Sequence, residues 1–175
     1  MHIAVVGLSH RTAPVEIREK LSIPEQTIET SLQTLRGHDQ VLEASILSTC
    51  NRLEIYTLVR HPELGISAVR DFLSGHSGLA TDDLSPHLFA YHHNEAVDHL
   101  LRVSAGLDSL VLGEGQILSQ VKKMMRLGQE HRSIGPILNR LLTQAVSTGK
   151  RVRSETNLST GARSEEHTSE LQSPD

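Results

Sequence analysis

The sequence predicts an α+β fold in which a ferredoxin-like, split βαβ subdomain is followed by a helical subdomain. Four short runs are apolar or alternate between apolar and polar residues, as β-strands do. Helical spacing fills the segments between the first and second runs and between the third and fourth. The resulting order, β-α-β-β-α-β, is that of ferredoxin-like proteins. The helical subdomain is predicted over 93–162, after a first subdomain over 1–92.

Turn and cap residues separate the elements of the first subdomain. Pro24 is typical of a helix start and Gly37 of a helix end, and Gly75 and Gly78 close the next helix. Asn51 and Arg52 form a tight connection between two strands. The predicted strands are 3–9, 41–50, 53–59 and 87–91, and the predicted helices are 15–21, 24–36 and 66–73.

Beyond residue 92 the apolar spacing is helical only. Asn94 is a good N-cap for a helix that runs to about Ala105. Helical spacing also covers 111–126 and 137–153. The final stretch, 163–175, has a single large apolar residue and cannot bury enough surface to order itself, so it is predicted to be disordered.

Composition limits the class of protein. The single cysteine excludes an internal disulfide and fits a reducing compartment. No apolar run approaches membrane-spanning length and no leader precedes the first strand, so we expect a soluble intracellular protein. The absence of tryptophan, with two tyrosines and two phenylalanines, disfavours a stacking platform for single-stranded nucleic acid.

Charge is distributed unevenly along the chain. Residues 121–153 hold eight Lys and Arg against one acidic residue, whereas residues 1–120 hold eight against fifteen. A basic segment beside an acidic body suggests a polyanion on one face. The ordinary alternative is a solvated helix surface.

Cys50 is a candidate nucleophile at the end of the second predicted strand. A strand end can expose a side chain on a rigid support. The thiolate is the reactive form, and a nearby cation such as Arg52 favours it. A lone cysteine is more often a small buried hydrophobic residue, but polar neighbours on both sides weaken that alternative.

His99 falls on the border between the apolar and polar faces of its predicted helix. From there an imidazole could move a proton or orient a leaving group, although a surface histidine is the simpler interpretation. The other histidines show no helical metal-binding pattern, and the chain has one cysteine, so no metal site is expected.

The segment 106–120 suits recognition of a small polar group. Gly113 and Gly115 bracket Glu114 and allow a ligand to approach the backbone, while Gln116 and Gln120 share one helix face. The alternative is a turn between helices with Asp108 or Ser109 as an N-cap. The chain contains neither a phosphate-binding loop nor a Gly-x-Gly-x-x-Gly dinucleotide signature.

Four stretches together resemble the glutamyl-tRNA reductase family, and the resemblance spans residues 1 to about 162. They are 6–15 (VGLSHRTAPV), 47–54 (LSTCNRLE), 106–121 (GLDSLVLGEGQILSQV) and 149–156 (GKRVRSET). The resemblance implies the catalytic N-terminal domain of an NADPH-dependent enzyme that converts glutamyl-tRNA(Glu) to glutamate 1-semialdehyde. This is the first step of tetrapyrrole (porphyrin) biosynthesis from glutamate. Residues 163–175 match no part of the family.

The resemblance also implies roles for individual residues. Cys50 would attack the ester carbonyl and form a thioester, and His99 would assist proton transfer or orient the substrate. Arg52 suits the side-chain carboxylate of glutamate, and Glu114 could bind its ammonium. The residues implied in substrate binding are Thr49, Asn51, Arg52, Ser109, Glu114, Gly115, Gln116 and Gln120.

The family's NADPH domain and dimerisation helices have no counterpart in this sequence. We therefore expect the polypeptide to form or hydrolyse the thioester without reducing it, and to be monomeric where full-length members are homodimers. The expected location is a bacterial cytoplasm or a plastid stroma. Two alternatives stay open: a Cys/His hydrolase that uses Cys50 and His99, and a non-catalytic RNA-binding module.

Overall fold

The computed structural model describes residues 1–113 and 115–156. The predicted tail and residues 157–162 lie outside the described residues. The strands are β1 (His2–Ser9), β2 (Val41–Ser48), β3 (Arg52–Val59) and β4 (Phe89–His92), and the helices are α1 (Val15–Leu21), α2 (Glu25–Arg36), α3 (Pro62–Ser77), α4 (Thr81–Leu84), α5 (Asn94–Ser104), α6 (Gln116–Glu130) and α7 (Pro136–Glu155).

The four strands form one antiparallel sheet in the order β2-β3-β1-β4. In this arrangement β1 and β2 run in the same direction but are separated by β3, which is the split βαβ topology. The predicted α+β, ferredoxin-like fold is therefore confirmed.

Both faces of the sheet are covered by helices. On β1, Val6 and Leu8 point into a core that α1, α2 and α3 complete, whereas Val5 points into a second core. The second core contains Tyr56 of β3 together with apolar residues of α5, α6 and α7. Each fully buried leucine in these cores contributes about 1.5–3 kcal/mol of transfer free energy. The helical region thus folds against the sheet.

The prediction of a helix over 111–126 is wrong for its first residues, because α6 begins at Gln116. Gly106 and Gly113 have φ values of 79° and 78°, a left-handed conformation that a helix does not contain. The amide of Gly113 donates to the carbonyl of Gly106, which closes the loop between α5 and α6. The segment 106–113 is therefore a loop, hereafter the glycine loop.

Other boundaries differ by a few residues. Helix α3 continues through Gly75 and ends before Gly78, whose φ of 74° makes it the left-handed cap. Helix α5 is preceded by His93 in the cap position, and Asn94 is its first residue. A short 3₁₀ turn occupies Ser85–His87, and β4 therefore begins at Phe89. Among the described residues, no helix is long and apolar enough to cross a membrane.

A buried carboxylate anchors α7 to the edge strand β2. One oxygen of Glu43 accepts hydrogen bonds from the amides of Gly135 at 2.6 Å and Leu138 at 2.9 Å. These amides lie at the start of α7, where backbone donors have no partner within the helix. The Glu43 side chain thereby fixes the start of the last helix.

Replacement of Glu43 by alanine should lower the free energy of unfolding by about 1–3 kcal/mol, because two buried amides lose their acceptor. Urea unfolding at neutral pH measures the change. Glu43→Gln, which retains an acceptor oxygen, should lose less, and Glu19→Ala on the exposed face of α1 is the control. Equal unfolding midpoints for wild type and Glu43→Ala would contradict the anchoring role.

Candidate active site

Cys50 lies at the tip of the β2–β3 hairpin and is exposed. The amide of Thr49 donates to the carbonyl of Arg52 at 2.9 Å, and the Thr49 hydroxyl accepts from the amides of Asn51 and Arg52 at 3.1 and 3.2 Å. The carbonyl of Asn51 accepts from the amide of His10 at 2.9 Å. Four hydrogen bonds thus hold the short turn that carries the thiol.

A small pocket of about 40 Å³ opens beside Cys50. Its walls are the hairpin tip, the glycine loop and the first turns of α6. It brings together seven of the residues that the sequence pointed to, along with Leu110 and Ile117. The seven are Thr49, Cys50, Asn51, Arg52, Ser109, Gln116 and Gln120.

Two other predicted site residues, Gly115 and His99, do not line this pocket. Gly115 is the exposed residue just before α6, next to Gln116. His99 lies on α5 and reaches the site through other side chains. Glu114 lies outside the described residues.

Arg52 points inward and is only 3% exposed. One terminal nitrogen, Nη1, donates to Glu54 Oε2 at 2.8 Å and to Asp108 Oδ2 at 3.0 Å, and Nη2 donates to the Asp108 carbonyl at 2.7 Å. Burial opposes a charge on Arg52, but Glu54 and Asp108 outweigh it and raise the pKa of the guanidinium. The side chain therefore stays charged and ties β3 to the glycine loop.

Glu54 is fully buried and accepts hydrogen bonds from three side chains. Its Oε2 binds Arg52, and its Oε1 accepts from the Tyr56 hydroxyl at 2.7 Å and from His99 Nε2 at 2.6 Å. Burial alone would raise the pKa of Glu54, but the hydrogen bond from His99 and the charge of Arg52 lower it below its usual value. The carboxylate is thus held ionised in the interior.

Tyr56 acts as a neutral donor to this carboxylate. Burial raises the pKa of its hydroxyl well above the usual value, and the adjacent Glu54 charge raises it further. The proton therefore stays on the phenol oxygen and the hydrogen bond to Glu54 persists across the neutral range.

The His99 ring is packed between β4 and the Glu54 carboxylate. Its centroid lies 4.9 Å from that of Phe89 and 5.3 Å from that of Tyr91, and the side chain is 14% exposed. Because Glu54 is ionised and can only accept, Nε2 must carry the proton in this contact. Within the described residues Nδ1 makes no hydrogen bond.

A family model described as "Glutamyl-tRNAGlu reductase, N-terminal domain" matches residues 6–156. The chain belongs to this family. The match includes the hairpin tip, the glycine loop and most of the helical region.

Individual reductases are very similar to the chain over its first part. It is 88% identical over 162 residues to glutamyl-tRNA reductase of Parasynechococcus marenigrum (strain WH8102), covering 93% of this chain and 38% of that protein. It is 90% identical over 162 residues to that of Synechococcus sp. (strain WH7803), covering 93% and 37%. The chain thus spans less than two-fifths of the length of these relatives.

A solved structure of glutamyl-tRNA reductase from Methanopyrus kandleri has the same fold in this region. It superposes with a TM-score of 0.70 at 28% identity, covering 89% of this chain and 35% of that one. The family assignment therefore rests on sequence and structure together.

The sequence alone does not point to Glu54, Tyr56 and Asp108 as parts of the candidate site. A signal for the first two was present, because Arg52, Glu54 and Tyr56 alternate along β3 and must share one face of the strand. From the sequence alone, Asp108 is a candidate helix cap and nothing more. Its contact with Arg52 joins residues 56 positions apart, which no local pattern indicates.

The described part of the chain does not fit a nicotinamide dinucleotide. Its sheet is antiparallel throughout, whereas dinucleotide sites are built on a parallel strand, a glycine-rich turn and a helix. In residues 1–113 and 115–156, no group of three or more His, Cys, Asp or Glu is placed to hold a metal ion.

The depressed pKa of Glu54 predicts an acid-sensitive contribution to stability. A carboxylate with a lowered folded pKa stabilises the fold above its unfolded pKa of about 4.3, and that contribution is lost as the pH falls towards the folded value. Wild type should therefore exceed Glu54→Gln in unfolding free energy by a constant amount at neutral pH. The gap should narrow below about pH 4.3.

Urea unfolding at a series of pH values measures this gap. Glu63→Gln, at an exposed carboxylate on α3, is the matched control and should follow the wild-type curve. A gap that stays constant down to the acid-unfolding region would show that Glu54 is not ionised in the folded protein.

Proposed function

We propose that this chain carries out the acyl-transfer step of glutamyl-tRNA reduction, with Cys50 as the nucleophile. The observation that carries the proposal is an exposed thiol at a hydrogen-bonded hairpin tip, beside a pocket lined by Ser109, Gln116 and Gln120. Membership in the reductase family supports the identity of the substrate.

In the proposed step the Cys50 sulfur attacks the ester carbonyl carbon that joins glutamate to the terminal ribose of the tRNA. A tetrahedral oxyanion forms and collapses, the carbon–oxygen bond to the ribose breaks, and a glutamyl thioester remains on Cys50. The thiol proton leaves as sulfur attacks, and the departing ribose oxygen gains one. No net oxidation or reduction occurs in this step.

We assign that proton movement to His99. Its Nε2 proton is directed to Glu54, so Nδ1 is the nitrogen with an available lone pair. A neutral imidazole held in one tautomer can accept the thiol proton, directly or through a water molecule, and return it to the ribose oxygen.

Glutamate recognition is proposed for the walls of the pocket. Arg52 supplies positive charge, the side chains of Thr49, Asn51, Ser109, Gln116 and Gln120 supply polar groups, and Gly115 and Glu114 belong to the same proposed set. Arg52 is already paired with Asp108, so a substrate carboxylate would share or displace that partner.

The pocket beside Cys50 is small, with a volume of about 40 Å³. We therefore propose that the glycine loop moves to admit a glutamyl group. Gly106 and Gly113, both in the left-handed region, suit a loop that changes its backbone conformation.

The remaining steps belong to the full-length enzyme. Hydride transfer from NADPH, release of glutamate 1-semialdehyde and entry into tetrapyrrole biosynthesis are proposed for full-length relatives, and this polypeptide is proposed to stop at the thioester as a monomer. The organisms of the relatives favour a bacterial cytoplasm over a plastid stroma.

Incubation of the chain with glutamyl-tRNA(Glu) should add one glutamyl group to Cys50. Intact-mass and peptide mass spectrometry after an acid quench measures the adduct, which hydroxylamine should remove because it is a thioester. Cys50→Ala should give no adduct while still binding the tRNA. Addition of NADPH should yield no aldehyde from this polypeptide.

Two comparisons separate the alternatives in this experiment. A general Cys/His hydrolase would turn over a simple activated ester as well as glutamyl-tRNA, and would not discriminate against aspartyl-tRNA. A non-catalytic RNA-binding module would bind tRNA but leave Cys50 unmodified, and that outcome would overturn the proposal.

Attraction of tRNA is proposed for the basic segment, residues 121–153, around α6 and α7. Seven of its eight Lys and Arg residues are exposed. Lys123 is paired with Glu25 at 2.6 Å, whereas Lys122 and Lys150 have no ion-pair partner among the described residues. Both lysines are therefore available to meet phosphate groups.

The double variant Lys122→Ala/Lys150→Ala should bind tRNA several-fold more weakly at low salt. The slope of log affinity against log salt should become shallower by roughly one for each phosphate that the protein no longer neutralises. Filter binding over a salt series measures both. Lys20→Ala on α1 is the control, and an unchanged salt slope in the double variant would place the tRNA elsewhere.

A further inference from the structure

We propose that Glu54 is the positioning residue of this site: it holds His99 with the proton on Nε2 and Arg52 against Asp108. The catalytic part of this inference rests on the proposed function. The structural part, which is the tautomer of the His99 imidazole, can be measured without any substrate.

The first support is the burial and bonding of Glu54. The side chain is fully buried, yet it carries a charge, and both of its oxygens accept charge-assisted or neutral hydrogen bonds at 2.6–2.8 Å. An ionised carboxylate in the interior is expensive unless it is paired and fully hydrogen-bonded. Arg52, Tyr56 and His99 together meet that requirement.

The second support is the residue opposite Glu54 in the sheet. Gly7 of β1 pairs with Glu54, and a Cβ built at Gly7 would collide with the Leu53 carbonyl oxygen and lie 3.0 Å from Glu54 Cγ. The neighbouring strand therefore leaves no room for a side chain at that position. The absence of a Cβ at Gly7 lets the Glu54 side chain occupy its place.

The third support is what the carboxylate does to its two partners. On one side it can only accept, so it fixes the Nε2–H tautomer of His99 and leaves the Nδ1 lone pair for proton transfer. On the other side it accepts a hydrogen bond from Arg52 Nη1, and the same nitrogen also donates to Asp108 in the glycine loop. One carboxylate thus sets the orientation of the base and of the loop that closes the pocket.

Glu54→Gln is an informative variant because an amide has one acceptor and one donor end. Arg52 can only donate, so the amide oxygen must face Arg52 and the amide nitrogen must face His99. His99 Nε2 then becomes the acceptor, and the proton moves to Nδ1. Loss of the correct tautomer in a carboxylate-to-amide exchange is known to reduce catalysis strongly in serine proteases.

The experiment records long-range ¹H–¹⁵N spectra of the imidazole groups of the 175-residue chain, with His99 assigned from a His99→Gln variant. Wild type should show the Nε2–H form of His99, and Glu54→Gln should show the Nδ1–H form. Thr57→Val, a change of similar size on the opposite face of β3, is the control and should keep the wild-type form.

The same proteins are then compared in single-turnover acylation by glutamyl-tRNA(Glu). Glu54→Gln should slow formation of the Cys50 adduct at least tenfold at saturating tRNA, while the dissociation constant for tRNA changes less than threefold. Thr57→Val should acylate at the wild-type rate. A residue with only a structural role would instead change the amount of folded protein.

The outcomes separate this inference from the proposed function. A wild-type spectrum showing Nδ1–H would overturn the inference, as would wild-type acylation rates in a Glu54→Gln protein whose tautomer has switched. Should Glu54→Gln fail to fold, Tyr56→Phe removes the other donor to Glu54 Oε1 and should shift the His99 signals, and unchanged signals would overturn the inference. Absence of any adduct on wild-type Cys50 would overturn the proposed function alone.

Discussion

The buried ion pair between Arg52 and Glu54 is the interaction on which the rest of the site depends. Removing two charges from water costs several kcal/mol for each ion, and mutual attraction offsets this only when the remaining hydrogen-bonding groups are also satisfied. Here Asp108 accepts a further hydrogen bond from Arg52, while Tyr56 and His99 donate hydrogen bonds to Glu54. An apolar pair would fill the same space at less cost, so the charges are better explained by what they orient.

The ion pair joins three parts of the chain that the local sequence keeps apart. Arg52 and Glu54 belong to β3, His99 belongs to α5, and Asp108 belongs to the glycine loop. The division into a sheet subdomain and a helical subdomain therefore describes the order of elements along the chain. The Arg52–Glu54–His99 network lies between them, where the second face of the sheet meets α5.

Much of this arrangement could be predicted from the sequence because it depends on local patterns. Alternation and turn residues indicated the strands, and the polar residues around Cys50 indicated an exposed hairpin tip. The gathering of Ser109, Gln116 and Gln120 at the thiol followed from resemblance to a family rather than from spacing.

The rest depends on long-range contacts or on backbone conformation. Asp108 meets Arg52 across the fold, and nothing near either residue predicts the contact. The start of α6 was misplaced because apolar residues at 110–112 imitate helical spacing, while left-handed Gly113 excludes a helix there. The role of Gly7 also escaped notice, since only the partner strand shows why a side chain is excluded.

The three-residue tip that carries Cys50 has a consequence for how this protein can change over time. Successive residues of a strand face opposite sides of the sheet, so an insertion or deletion at positions 49–51 that shifted the pairing of β3 by one residue would reverse the facing of everything that follows in β3. Arg52, Glu54 and Tyr56 would then point towards α1, α2 and α3, and three polar groups would enter an apolar core. The length of this connection therefore bears directly on which side chains of β3 face α5.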